Sequence, residues 1–529
     1  MKHYARKFNE LWRLVDEYDD YSSSMSALPV DAPLKDRLAV FSRVAKRRAN
    51  FLASRLLRLF ALLLLGAVVG SIAGLVGSAF LWGMNHASQL FLASEEAAAE
   101  SGYPRLLFAL PVVGVAIVAL YSVARTSIDA GTNQVVEALV SEKKPSLLLA
   151  PLIFASSIMT QVCGGSAGRE GAALQLGGCV GLGVGRALRF HATGLKMAIF
   201  CGMAGGFSAV FGAPLTAAFF AVEVGCVGLV YYPALLPSLV SAAVASGIAK
   251  SLGFAPFFCA LPVFPSTSAL LIARVLLLGL LCGLTSVFFC TAIRVATKSM
   301  ARRFSNDYWR IIFGGSLVAT ATVLLGTNAY NGTGALLVER ATQGDANLQD
   351  FALKILLTAA TLGAGFKGGE IVPLLAVGST FGCAWGELLG IEPSLGAALG
   401  MTALFCGATN CPIAALLLGM EFFGAQNALL FALACAATYA VSGRSGLYKS
   451  QKLAFSKASG RAVDADWRSY LSGEEEKKKE RGTRSGAGSD AALQEEVDAG
   501  IDQLKKSAGF ARALERILSD PDRDKARNK

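Results

Sequence analysis

Between about residues 59 and 455 the chain is a succession of apolar runs, and a chain of that kind has few structures open to it. Runs at about 59–83, 104–124, 229–250, 266–296 and 311–326 reach the roughly 20 residues with which a helix crosses a bilayer. Shorter runs broken by glycine lie at 146–163, 171–187, 195–210, 213–228, 352–364, 371–389 and 394–422. Lipid offers no hydrogen-bond partners, so a segment inside it must satisfy its own backbone, and runs of this length do so as helices. An unwound turn at that depth is tolerated only where it lines a cavity or is buried in protein, and such turns are where transporters bind ions. The expected fold class is therefore all-α and polytopic, with broken helices. Composition agrees: 53% of the 529 residues are hydrophobic and 16% charged, against roughly 45–50% and 25% in soluble proteins. The 56 glycines point to close helix packing.

The charges crowd at the two ends. Arg43, Lys46, Arg47, Arg48, Arg55 and Arg58 precede the first run and place the N-terminus in the cytoplasm. No signal peptide is expected, because the first fifty residues have no short apolar stretch ahead of a cleavage site. "ASEEAAAESGYPR" (93–105) reads as an acidic outer loop and "ATKSMARRFSNDYWR" (296–310) as a basic cytoplasmic one. The net charge of +11 is thus a topology signal, and no nucleic-acid partner is expected. Three divisions follow: a cytoplasmic segment 1–58, a membrane domain 59–455 with halves at about 59–250 and 266–455, and a polar cytoplasmic tail 456–529. Residues 1–40 can form an amphipathic helix around "FNELWRLVDEY". Residues 473–490 read as a disordered linker, and the stretch after it has helical apolar spacing suited to a partner or the membrane surface.

Eleven cysteines without CxxC spacing fall almost wholly in apolar segments and read as packing residues; three histidines lack ligand spacing, so neither a metal nor a cofactor is expected. "GLGVGR" (Gly181–Arg186) has no preceding strand and reads as packing, not a dinucleotide motif. "NGT" (Asn331–Thr333) matches a glycosylation sequon, but it coincides with a repeated turn and nothing in the sequence indicates a secretory route.

That repeat is the most informative feature of the middle region. Gly131-Thr132 recurs as Gly332-Thr333, an offset of 332 − 131 = 201, and the same offset carries Gly164, Gly168, Leu174 and Gly177 onto Gly365, Gly369, Leu375 and Gly378. Paired glycine turns in two halves of a chain point to a binding site at a repeat interface. A helix N-terminus there offers unsatisfied N–H groups and a partial positive charge, which suits an anion. Four such N-termini are expected, after Gly131-Thr132, at Gly168–Gly171, at Gly212-Ala213-Pro214 and at Gly368-Gly369. The first of the longer turns, "GGSAGREGAALQLGG" (164–178), also carries Arg169 and Glu170.

At these residues the chain resembles the CLC family of anion channels and proton-coupled anion exchangers. "GREGA" (168–172) is similar to the family's GREGP, "KGGEIVP" (367–373) stands where the family has GGxFxP, and "GTNQV" (131–135) where it has GSGIP. "FGAPLTAAFFAVEV" (211–224) and "SGRSGLYKS" (442–450) match two further segments, so the likeness covers about 59–455 in order. It implies an inverted-repeat fold with broken and tilted helices, and a homodimer with one anion pathway per subunit. By residue, it implies that Glu170 is a gating glutamate that competes with the anion and is displaced on protonation. Thr132 stands at the central serine and Tyr448 at the central tyrosine, with Gly168, Arg169, Gly171, Gly369 and Ile371 in the other anion-binding positions. A carboxylate buried at an anion site would couple occupancy to protons.

The chain departs from the family pattern at three points. Val224 stands where many exchangers have an internal proton-transfer glutamate, a loss that in the family accompanies channel behaviour and argues against simple chloride/proton exchange, and Thr132 keeps a hydroxyl where the fluoride/proton-exchanging branch has methionine, which argues for chloride. Glu370, beside Ile371 in the second turn, resembles that fluoride branch and would then serve in the proton path; its other reading is a cap satisfied by Lys367. Chloride is the favoured cargo, with fluoride/proton antiport through Glu170 and Glu370 as the alternative. The tail is too short for the paired nucleotide-binding domains of some family members. An enzyme or sensor in the cytoplasmic ends is a remote third reading, because those ends hold one histidine, no cysteine and no nucleophile arrangement.

Overall fold

A computed structural model describes residues 34–101, 105–128, 131–141, 145–254, 257–259, 261, 267–455 and 457. The expectations for residues 1–33, for the linker 473–490 and for the rest of the tail lie outside these. Seventeen α-helices follow one another among the described residues. They are α1 (Leu34–Ser101), α2 (Arg105–Phe108), α3 (Leu110–Val123), α4 (Thr132–Val140), α5 (Leu149–Val162), α6 (Glu170–Ala187), α7 (Ala192–Phe211), α8 (Pro214–Glu223) and α9 (Leu235–Ser251). After these come α10 (Ala269–Arg303), α11 (Asp307–Leu325), α12 (Ala335–Thr342), α13 (Asp350–Gly363), α14 (Ile371–Leu388), α15 (Pro393–Thr409), α16 (Pro412–Phe423) and α17 (Ala428–Val441). Two short strands, β1 (Cys226–Val227) and β2 (Lys452–Leu453), pair in parallel. Six helices are long and apolar enough to cross a membrane, and several others are apolar but shorter. The protein is a multi-pass membrane protein.

The repeat is carried by whole elements. Shifting α5 and α6 by 201 residues reproduces the bounds of α13 and α14. The packing repeats as well. In the first half Gly177 and Gly181 of α6 press on the backbone of Gly202 and Ala198 in α7; in the second, Gly378 and Gly382 of α14 press on Gly400 and Gly396 of α15. A Cβ at Gly177 would sit 3.0 Å from the Gly206 Cα and run into the Gly202 carbonyl. Small residues let backbones approach in lipid, where association has no hydrophobic drive. "GLGVGR" is thus part of a helix-packing surface. Ten of the eleven cysteines are buried and all are free thiols, as packing residues would be.

Several boundaries differ from the sequence reading. The first run is one helix of 68 residues, and the acidic stretch expected as a loop is helical through Ser101 because Ala and Glu are strong helix formers. The basic stretch is helical through Arg303, leaving a short connection in which the Asn306 side chain caps α11 by accepting from Tyr308 N–H. The run 394–422 is two helices, interrupted at Asn410, whose φ is +61°, and restarted by Pro412. The sequence reading left out α17, whose 14 apolar residues fall short of a bilayer crossing. It also left out α12, whose "ALLVERAT" is amphipathic.

The glycine contacts make a direct prediction. Gly177→Val should lower the thermal unfolding temperature in detergent by the equivalent of about 1–3 kcal/mol or more, the usual effect of overpacking. Gly247→Ala, on α9 with nothing within 4 Å of the added Cβ, should leave the temperature unchanged or raise it slightly.

Candidate functional site

The turns that open α6 and α14 meet. Gly168 N–H donates to the Gly369 carbonyl at 2.6 Å and Gly369 N–H donates to the Gly168 carbonyl at 2.7 Å, an antiparallel bridge between the two halves. The loops approach so closely that a Cβ on Gly171 would lie 2.9 Å from Gly369 Cα and 3.2 Å from Glu370 Oε2. The 201-residue shift pairs Gly168 with Gly369, Arg169 with Glu370 and Glu170 with Ile371. Glu370 is therefore the counterpart of Arg169, and the fully buried Ile371 is the counterpart of Glu170.

The two charged turns face different cavities. Glu170 is 1% exposed. Its Oε1 accepts from Arg169 Nε at 3.1 Å, and Arg169 in turn donates through Nη1 to Asn85 Oδ1 of α1 at 2.8 Å. Asn85, Arg169 and Glu170 line a cavity of about 340 Å³ together with Ala335 and Val338 of α12. Glu370 lines a second cavity of about 310 Å³ with Thr132, Gln175, Cys290 and Arg294. There the Gln175 amide donates to Thr132 Oγ1 at 2.7 Å, which leaves the threonine hydroxyl hydrogen to donate elsewhere. Lys367 does not serve Glu370 as its cap; it donates to the Ile128 carbonyl and lies 4.7 Å from the centre of the Tyr121 ring.

Tyr448 is 3% exposed, lies beside Phe220 and has no protein partner for its hydroxyl. It lines a third cavity of about 510 Å³, which shares Arg294, Gly446 and Lys449 with the second. The candidate residues thus fall into groups: Arg169 and Glu170 line the first cavity, Gly168 and Gly369 form the bridge with Gly171 and Ile371 at the helix starts it joins, Thr132 and Glu370 line the second cavity, and Tyr448 lines the third.

One expected anion site is occupied by the protein itself. At the start of α8 the N–H groups of Leu215 and Thr216 donate at 2.8 Å to the Glu421 carboxylate of α16. Reciprocally, the N–H groups of Ile413 and Ala414, at the start of α16, donate to Glu223 of α8 at 3.3 and 3.0 Å. A carboxylate on a helix N-terminus satisfies its orphan donors and its partial charge. The Gly212-Ala213-Pro214 turn therefore has no vacancy for an anion. The signal missed in the sequence was a second offset, 421 − 223 = 198, shorter by three because α15 has 17 residues where α7 has 20.

The chain was compared with known proteins. Residues 112–443 match the family model described as voltage gated chloride channel. A chloride/fluoride channel protein of Pseudomonas syringae pv. tomato is 32% identical over 402 residues, covering 75% of this chain and 87% of the relative. An H(+)/Cl(-) exchange transporter of Vibrio parahaemolyticus is 28% identical over 403 residues, 72% of this chain and 86% of the relative. Among solved structures, a CLC-type fluoride/proton antiporter superposes with a TM-score of 0.70 at 33% identity, covering 75% of this chain and 99% of that one. The fold also matches a slow cyanobacterial Cl-/H+ antiporter, with a TM-score of 0.62 at 21% identity.

The loop before Glu170 rests on a lysine that sequence reasoning passed over. Lys354 of α13 is 0% exposed; its Nζ donates to Ser166 Oγ at 3.0 Å and to the Tyr330 and Gly332 carbonyls at 2.9 Å each. Asn331 ties the same two loops, donating to the Gly164 carbonyl at 2.8 Å from a buried position that no glycan could reach. Lys354→Met should leave Ser166 and two carbonyls without that donor and destabilise the fold by about 1–3 kcal/mol for each group left unsatisfied. Thermal unfolding in detergent reads the loss, and an unchanged transition would contradict the assigned role.

Proposed function

The chain belongs to the voltage gated chloride channel family, a family of anion channels and transporters, and we propose that it exchanges fluoride for protons with Glu170 and Glu370 as the proton-carrying groups. The observation that carries this reading is the placement of the two carboxylates on opposite sides of the Gly168–Gly369 bridge, each in its own cavity. One carboxylate gates a path; two, lining separate cavities with the glycine bridge between their turns, let a proton enter on one side and leave on the other. Protonation of Glu170 removes its attraction for Arg169 and frees the first turn of α6, whose N–H groups then attract the anion. Glu370 Oε2 lies against that same turn at Gly171, so it receives the proton from the other side of the bridge. Gly168, Gly171 and Gly369 bring the helix starts together without bulk, and Ile371 adds no competing charge.

Fluoride is favoured by Glu370 and by two relatives above 30% identity, one named for chloride and fluoride, the other for fluoride and protons. A second reading has its own support. Thr132, which lines the Glu370 cavity, accepts from the Gln175 amide and keeps its hydroxyl hydrogen for another acceptor, an arrangement suited to chloride, and Val224 keeps an apolar residue after Glu223. The basic residues on the Glu370 side support a cytoplasmic orientation of that cavity, with both chain ends on the same side. A homodimer with one pathway per subunit completes the proposal.

Proteoliposomes followed by fluoride, chloride and pH electrodes decide between the readings. The wild type should move fluoride with protons in the opposite direction, Glu370→Gln should keep anion flux but lose proton movement, and Glu170→Gln should make anion flux indifferent to pH. Chloride flux that exceeds fluoride flux and carries no protons would establish the second reading instead.

A further inference from the structure

The third cavity holds more positive charge than a halide path calls for. Arg294 and Lys298, one helical turn apart on α10, line a space of about 510 Å³ with Arg444 and Lys449 of the segment after α17, and among the described residues no carboxylate lines it. Arg294 is held by the Gly446 carbonyl at 3.3 Å, while Lys298, Arg444 and Lys449 are exposed. Asn410 and Gln451 add amide groups, and the two are bonded to each other at 3.0 Å. A monovalent anion in transit must be held weakly enough to leave again, which helix N-termini and a hydroxyl already accomplish. Four full charges around one chamber suit an anion of higher valence, and arginine offers the forked donors that match phosphate oxygens. Tyr448, buried, also lines the chamber, which shares Arg294, Gly446 and Lys449 with the Glu370 cavity.

We propose that this chamber is a binding site for a multiply charged phosphate-class anion, held by Arg294, Lys298, Arg444 and Lys449, which closes the cytoplasmic mouth of the anion path when bound. The binding does not depend on which halide is carried; the closing of the path rests on the reading above. A soluble pyrophosphate and the phosphate of an anionic lipid headgroup share the required chemistry, and the chamber is tested with both.

Calorimetric titration of the full chain in neutral detergent, with inorganic pyrophosphate and separately with a short-chain phosphatidylglycerol, reads binding without reading transport. At least one should bind saturably, one per chain, and Lys298→Gln/Arg444→Gln should weaken it about tenfold or more, the effect of losing one or more charge-assisted contacts. Pyrophosphate binding identifies a soluble ligand, and lipid binding alone identifies a headgroup. Both substituted side chains are exposed; if the double variant fails to fold, Lys449→Gln takes its place. No saturable binding of either probe, or equal binding by wild type and variant, would overturn the site. In vesicles, pyrophosphate on the side of the chamber should slow halide flux in the wild type and not in the variant; binding without slowing would overturn the closing of the path.

Discussion

Two hydrogen bonds between Gly168 and Gly369 hold together what the rest of the molecule is arranged to present. They join the turns before α6 and α14 back to back, so that two helix starts converge where a side chain on either glycine would push them apart. A Cβ on Gly168 would lie 2.8 Å from Pro373 Cδ, and one on Gly369 would press on the α6 backbone at Gly171. Everything nearby serves this contact. The glycine-lined α6–α7 and α14–α15 pairs behind it act as rigid supports, and Lys354 and Asn331 fasten the loops on either side.

The treatment of helix ends separates structure from function. Each helix leaves donors unsatisfied at its start, and at membrane depth those donors need partners. At α8 and α16 the protein supplies them from within, through Glu421 and Glu223 in a reciprocal pair that links the halves. At α6 and α14 the residue before the helix is Arg169 or Glu370, and neither side chain caps its own helix. The first pair of termini is closed by carboxylates from the opposite half; at the second, the Glu170 carboxylate accepts from the Arg169 N–H at 3.2 Å, and in the proposed mechanism an ion takes that place.

Much of this was legible in the sequence, because lipid makes backbone satisfaction and apolar length visible as composition. The 201-residue offset located the two meeting turns, and the motif at 164–178 located Glu170. What escaped was set by contacts between distant segments. No local pattern shows that Glu421 reaches the start of α8 or that Lys354 lies beneath Ser166. The overlooked α17 and the over-long 394–422 run have a local cause: apolar content alone neither separates neighbouring helices nor registers an αL residue such as Asn410.

The central claim is that an anion and a proton share one machinery astride the glycine bridge. The most direct test is the reversal potential of wild-type protein in a planar bilayer at fixed fluoride gradient, read before and after a pH difference is imposed. Coupled exchange predicts a reversal potential that shifts with the pH difference in the direction of proton counter-movement. A potential set by the fluoride gradient alone, unmoved by pH, would contradict it.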